Sequence, residues 1–169
     1  MNIENLSEDE LKEKFENFIF NVDDYIEDLE SRTEKYGLKL DFSLDSLKEI
    51  EKYILKKNIT IDDDEYDYIA AYLGEVIVKN FKLKWQCNLD KINNSLYYGF
   101  PVLEGLSKKD VLYSPFHIIK AFILRHKEGL IINSIESLVN PEPIDWNKYS
   151  IEEEPKEKDK WNLLDGSDD

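Results

Sequence analysis

The stretch Tyr66–Trp85 most constrains the fold, because it is the longest segment of the chain with few charges. Its apolar residues recur at steps of three and four, which predicts one broad buried face of a helix. That face comprises Tyr66, Ile69, Leu73, Val76, Ile77 and Phe81. From Phe81 the apolar period falls to two, through Leu83 to Trp85, which predicts that a strand follows the helix.

Two small residues, Ala70 and Gly74, lie four positions apart in this helix. They predict a flat strip where another part of the chain comes close, and that contact has to offset the ~1 kcal/mol that a mid-helix Gly costs. Glu75 follows Gly74 inside the apolar segment. We expect it to fasten the helix to the next strands through a hydrogen bond or a salt bridge, with Lys84 as one partner.

Capping signals predict two helices before this segment. Ser7 and Glu10 form the Ser-x-x-Glu capping-box pattern, so a first helix is expected at about 8–35, with Gly37 as its C-terminal cap. Asp41 or Ser43 is expected to cap a second helix at about 44–57, which ends at Asn58. The acids 62–65 then open the central helix, where negative charge suits the positive end of the helix dipole.

After Trp85 the pattern predicts a β-hairpin of strands 82–89 and 95–104, turned at Asn93-Asn94. Pro101 marks an edge position or a break in the second strand. Ser114-Pro115 starts a further helix, which we expect Gly129 to end, and residues 130–139 favour one more short helix. The fold class is therefore α+β: mostly helical, with a small antiparallel β-hairpin packed on three to five helices.

The composition divides the chain at about residue 140. Residues 1–140 are predicted to form a single globular domain. Residues 141–169 are interrupted by proline and contain the charge run EEEPKEKDK, which predicts an acidic, partly disordered or extended C-terminal tail. The tail also contains Trp146 and Trp161, which either fold back on the domain or contact a partner.

The net charge is −15, and most of it lies at the two ends of the sequence. Residues 1–36 contain 12 acids and 4 bases, and residues 141–169 contain 10 acids and 4 bases, so the middle of the chain is nearly neutral. Such a surface repels nucleic acid and attracts a basic protein. The outward side of the first helix carries what we call the acidic face: Glu13, Glu16, Asp23, Asp24, Glu27, Asp28 and Glu30. A purely solvated helix surface is the alternative.

No pattern for chemistry stands out. There is no metal-ligand spacing, no phosphate-binding glycine loop and no nucleophile motif, so we predict no catalytic residue, no metal, no cofactor and no enzyme activity. Cys87 is the single cysteine, which fits a reducing compartment. No apolar run approaches the ~20 residues of a membrane span, and the acidic N-terminus lacks a signal-peptide pattern. We therefore expect a cytoplasmic protein without a membrane contact.

The motifs AYLGE (71–75), Trp85, GFPV (99–102) and SPF (114–116) resemble a group of small uncharacterised bacterial proteins. In that group a Tyr-x-Gly-Glu helix precedes a Trp-containing strand, a second strand and a Pro-Phe helix, and its members resemble the immunity proteins that accompany secreted toxins. The resemblance covers about 66–125. It implies that Gly74, Glu75 and Trp85 form the structural framework and that specificity lies elsewhere on the surface.

Together these features predict a non-enzymatic immunity protein that neutralises a cationic bacterial toxin through an acidic surface. The expected partner-binding residues are Asp23, Asp24, Glu27, Asp28, Trp146, Glu152, Glu153, Glu154 and Trp161. The alternative is a structural module that self-associates through the aromatic residues of the hairpin, such as Tyr97 and Tyr98. The oligomeric state is left open by the sequence.

Overall fold

The computed structural model describes residues 1–105 and 111–140. The elements in chain order are α1 (Glu8–Glu34), α2 (Ser46–Lys57), α3 (Asp64–Phe81), β1 (Lys84–Cys87), β2 (Pro101–Glu104), α4 (Pro115–Arg125) and α5 (Leu130–Val139). A short 3₁₀ turn, Ser95–Tyr97, lies between the strands. This arrangement confirms the predicted α+β class, because a two-stranded antiparallel sheet packs on a mostly helical body.

The central helix α3 has buried residues on almost every side, which explains its uncharged run from Tyr68 to Gly74. It packs against α1 and α4. Two buried tyrosines on α3 satisfy their hydroxyls: Tyr66 donates to the Phe116 carbonyl at 2.7 Å, and Tyr72 accepts the Phe42 N–H at 3.0 Å. Because a buried hydroxyl without a partner is costly, these bonds select this packing over other hydrophobic arrangements.

Both ends of α1 follow the predicted signals. Ser7 and Glu10 make the reciprocal capping box at its start. At its end, Leu38 N–H bonds the Thr33 carbonyl at 3.2 Å, and Gly37 N–H bonds the Glu34 carbonyl at 2.9 Å. This is a Schellman motif in which Gly37 adopts φ +70°. The motif turns the chain back toward α2.

The hairpin is shorter than predicted. The strands pair from Lys84 opposite Glu104 to Cys87 opposite Pro101, and 95–100 is not a strand. The prediction of a strand from 95 was wrong because 95–97 form the 3₁₀ turn and Gly99 takes φ +80°, which interrupts the extended backbone before Pro101. The Asn88 N–H still donates to the Phe100 carbonyl at 3.1 Å and its carbonyl accepts the Gly99 N–H at 2.6 Å, so two residues face one in a bulge. The Asn88 side-chain amide also donates to the Asn94 carbonyl at 2.9 Å. That bond holds the connection in a closed turn. Pro101, which has no N–H to give, is the first residue of its strand, in agreement with its predicted edge role.

The last two helices also agree with the sequence, with one exception. The Ser114 side chain caps α4 and Pro115 is its first residue. However, α4 ends at Arg125 and its C-cap is His126, which takes the left-handed backbone conformation, whereas Gly129 is the N-cap of α5. The prediction that Gly129 ends α4 was therefore wrong. Along residues 1–105 and 111–140, no helix combines the length and the apolar character needed to cross a bilayer.

Candidate functional site

The acidic face lies on the side of α1 that points away from α3. The four predicted binding residues on it, Asp23, Asp24, Glu27 and Asp28, are all exposed. Within residues 1–105 and 111–140, none of these four carboxylates forms an ion pair. They project an uncompensated negative potential, which is what long-range attraction of a cation requires.

Phe20 is an exposed aromatic residue in the middle of the acidic face. Its side chain is 83% exposed, whereas Phe18 is buried against Trp85 of the hairpin and Phe116 of α4. At about 100° per residue, Glu16, Asp23, Asp24 and the other central acids lie within roughly 60° of Phe20 around the helix. Sequence reasoning followed the buried stripe of α1 and missed Phe20. A helical projection of the outward side would have shown it as the one large apolar residue among the acids.

The predicted framework residues meet at one point. The Trp85 ring lies against Gly74 so closely that a Cβ built on this glycine would be 1.9 Å from Cζ2 of the indole. The indole Nε1–H donates to Glu75 Oε1 at 2.8 Å, so Glu75 is bonded to Trp85 rather than to Lys84. The edge of Trp85 also contacts Phe18, with ring centroids 5.3 Å apart. Trp85 thus joins β1 to both α1 and α3.

Glu51 is a buried carboxylate that the sequence did not single out. It is 5% exposed and reaches from α2 to the start of α5. There Oε2 accepts the Gly129 N–H at 2.8 Å, and Oε1 accepts the Ile131 N–H at 3.0 Å. Both oxygens are used, so this carboxylate serves as a helix cap supplied from a different helix. Its role is structural.

Glu65 is a second buried carboxylate, for which the sequence predicted only a favourable position at the start of α3. It bonds Arg32 Nη1 at 2.7 Å and also bonds Lys57, which ties the ends of α1 and α2 to the start of α3. Burial alone would raise the pKa of the Glu65 carboxyl. The hydrogen bonds from Lys57 and Arg32 outweigh burial and hold that pKa below its usual value. Its charge is therefore compensated and is not presented to a partner.

A groove of about 580 Å³ lies where the N-terminal residues pass α3 and α4. Its polar lining groups include Tyr66, His117 and Lys120. His117 packs edge-on against Tyr97 and Phe100, each with ring centroids 4.8 Å away, and its Nδ1 lies 2.7 Å from Ser114 Oγ. Burial lowers the pKa of the imidazole, and the Lys120 cation lowers it further. His117 is therefore neutral near pH 7 and is held by its neighbours.

Nothing in this groove assembles a catalytic set. The Tyr66 hydroxyl is used by the Phe116 carbonyl, and His117 is used by Ser114. Among the described residues, no three His, Cys, Asp or Glu side chains come together as a metal site. Cys87 is half-buried, and burial raises the pKa of its thiol, which keeps it protonated.

The remaining predicted binding residues, Trp146, Glu152, Glu153, Glu154 and Trp161, lie outside the described residues. So does the predicted tail. No family model, curated protein or solved structure matches the chain. The resemblance to immunity proteins therefore stays a prediction, and the acidic face is the feature of the described residues that bears on function.

Proposed function

We propose that the protein is a non-enzymatic, cytoplasmic binding protein of immunity type, which neutralises a cationic bacterial toxin. The observation that supports this is the acidic face. Six of its seven carboxylates are exposed, Glu30 is half-buried, and within the described residues none of the seven forms an ion pair. Exposed charge of one sign stabilises a lone helix little, and like charges three or four residues apart reduce its stability. Binding of a partner of opposite charge would offset this repulsion and would account for the concentration of carboxylates on α1.

The mode of action is electrostatic competition. If the toxin is a nuclease, its cleft is lined with bases that bind phosphate groups, and the carboxylates of Asp23, Asp24 and Glu27 would occupy that cleft in place of phosphate. Glu152, Glu153 and Glu154 would supply further carboxylates for the toxin's bases, and Trp146 or Trp161 would contribute aromatic contact area. The framework of Gly74, Glu75 and Trp85 would hold α1 in place without touching the toxin.

Charge reversal on the acidic face is the direct test. The partner is the product of a toxin-like reading frame beside the gene, or a protein captured from the native cell. The triple variant Asp24→Lys, Glu27→Lys, Asp28→Lys should lower the association rate by about 10-fold or more at low salt and flatten its salt dependence, because steering is the screened part of binding.

The matched control reverses three exposed acids away from the acidic face: Asp62, Glu128 and Glu136. It changes the net charge by the same amount, so a general charge effect would slow both triple variants equally. An association rate that is unchanged in the α1 variant, or equally slowed in both, would reject this face as the binding surface.

A self-associating module is the second candidate. It is favoured by the connection between β1 and β2, where Ile92 and Leu96 are 90% and 70% exposed. The tyrosines first expected to mediate self-association contribute less, since Tyr97 packs on His117 and Tyr98 lies under the Lys91 ammonium. Light scattering distinguishes the candidates: a stable dimer that becomes monomeric in Ile92→Ser, Leu96→Ser would favour this second function.

A further inference from the structure

The outward side of α1 is organised around Phe20 rather than uniformly charged. Six acids share this side of α1 with Phe20. Three precede it by 11, 7 and 4 residues (Asp9, Glu13 and Glu16), and three follow it by 3, 4 and 7 residues (Asp23, Asp24 and Glu27). These spacings keep all six on the same side of the helix, within roughly 60° of Phe20. No lysine or arginine of Glu8–Glu34 falls in that sector. From Glu13 to Glu27 this surface is about 21 Å long, at 1.5 Å per residue.

The ring of Phe20 does not pack against the core in the described part of the chain. Phe18, two residues earlier, contacts Tyr25, Trp85 and Phe116, whereas Phe20 is 83% exposed and is absent from the core. A large exposed aromatic ring surrounded by polar groups is typical of the central residue of a protein interface, because its burial supplies affinity while the surrounding charges supply orientation.

We propose that this face binds a cationic amphipathic helix of the partner protein, which lies along α1 and receives Phe20 between its side chains. The inference rests on the proposed function and specifies the surface that the partner presents. The surface is narrow, about four turns long and convex, with one protruding ring, so a second helix alongside it can enclose the ring as a knob in a hole. Lysines or arginines that flank the apolar stripe of that helix then meet the acids on both sides of Phe20.

Two other occupants are disfavoured by charge. A second copy of this chain would bring one acidic face against another, and like charges in contact oppose association. An anionic membrane surface would be repelled for the same reason. A polycation without apolar groups would pair with the carboxylates but would leave the Phe20 ring exposed to water. Only a partner that is both cationic and apolar uses every group on this face.

The test uses two synthetic peptides of about 18 residues with identical composition. In the first, leucines recur at helical spacing with lysines on both flanks. In the second, the order is scrambled, so the charge is kept and the apolar stripe is lost. Fluorescence anisotropy of each labelled peptide is measured with the full chain, with Phe20→Ser, and with Leu124→Ser as the matched control. Leu124 is 70% exposed on α4, so both substitutions remove an exposed apolar side chain.

We expect the amphipathic peptide to bind at least 10-fold more tightly than the scrambled peptide. Phe20→Ser should remove roughly 10- to 100-fold of affinity for the amphipathic peptide, the range that burial of a Phe ring supplies. Leu124→Ser should bind like the unmodified protein. Thermal melts should coincide for all three proteins, because neither exposed side chain supports the core.

The two proposals fail separately. If Phe20→Ser binds as tightly as the unmodified protein, or if the scrambled peptide binds equally well, the helix-docking inference is wrong. The acidic face can still bind a toxin, as tested by its own association rate. If the Lys triple variant leaves the rate with the toxin unchanged while Phe20→Ser weakens binding of the amphipathic peptide, the proposed steering fails and the contact at Phe20 stands. Absence of binding by both peptides rejects the inference.

Discussion

Replacement of Gly74 by Ala should destabilise the protein, although the same change in an ordinary helix stabilises it. In a helix interior, Gly→Ala is worth about 1 kcal/mol in favour of the folded state. Here the added Cβ would lie 1.9 Å and 2.2 Å from two ring atoms of Trp85. The indole must move, because real Cβ contacts are ~3.5–4 Å.

The cost follows from what Trp85 loses when it moves. Its hydrogen bond to Glu75 has a net worth of about 1 kcal/mol, and its edge contact with Phe18 about another 1 kcal/mol. Strain from the extra methyl group adds about 1–3 kcal/mol. After subtraction of the ~1 kcal/mol helix gain, we expect Gly74→Ala to lower the free energy of unfolding by about 2–4 kcal/mol.

A double-mutant cycle in urea measures this prediction. Trp85→Leu removes the ring that the Cβ would meet, so Gly74→Ala in that background should be neutral or stabilising by up to ~1 kcal/mol. Circular dichroism follows unfolding in all four proteins, since tryptophan fluorescence changes with the mutation. If Gly74→Ala stabilises the otherwise unmodified protein, or costs the same with Leu at 85, then the contact between α3 and the indole does not explain the glycine.

Two further predictions concern buried polar groups. Glu51→Ala leaves the N–H groups of Gly129 and Ile131 without their acceptor and should lower the free energy of unfolding by about 2–4 kcal/mol. The control Glu49→Ala breaks only a surface pair with Lys52 and should lower it by under ~1 kcal/mol. Equal losses in urea unfolding would refute the capping role. Because the pKa of His117 is lowered in the folded state, the unfolded chain binds a proton first. Stability should therefore fall as the pH drops below about 6.5. His117→Gln should remove that part of the pH dependence of Tm, and an unchanged slope would contradict it.

Part of the candidate site could be read from the sequence because it depends on local spacing. The acids of α1 share one side of a helix whose start is set by Ser7 and Glu10, and helical periodicity places them outside without reference to any other element. Helical periodicity places Phe20 on that side as well, but the sequence prediction followed only the buried stripe of α1 and missed it. Its exposure depends on how far the neighbouring elements extend around α1, which is a tertiary property.

The hairpin illustrates the same division. Alternation predicted strands near Trp85 and Pro101, but the second strand begins only at Pro101, because the 3₁₀ turn at 95–97 and the bulge of Gly99 and Phe100 opposite Asn88 precede it. Likewise, an acid in a helical segment was read as a surface charge or as a partner for the dipole of its own helix. Glu51 instead caps α5, 78 residues further along the chain. Such assignments require knowing which elements are neighbours.

Local sequence patterns were sufficient to predict the helices, most of their caps, the α+β class and the concentration of negative charge on α1, because each follows from residues within a few positions of one another. Three outcomes required the packing of distant segments: Trp85 lies against Gly74, Glu51 and Glu65 are buried with their hydrogen bonds formed, and the Phe20 ring is 83% exposed among the acids. Those outcomes depend on side chains that meet across long stretches of chain, where packing and desolvation select one arrangement among many that the local patterns allow.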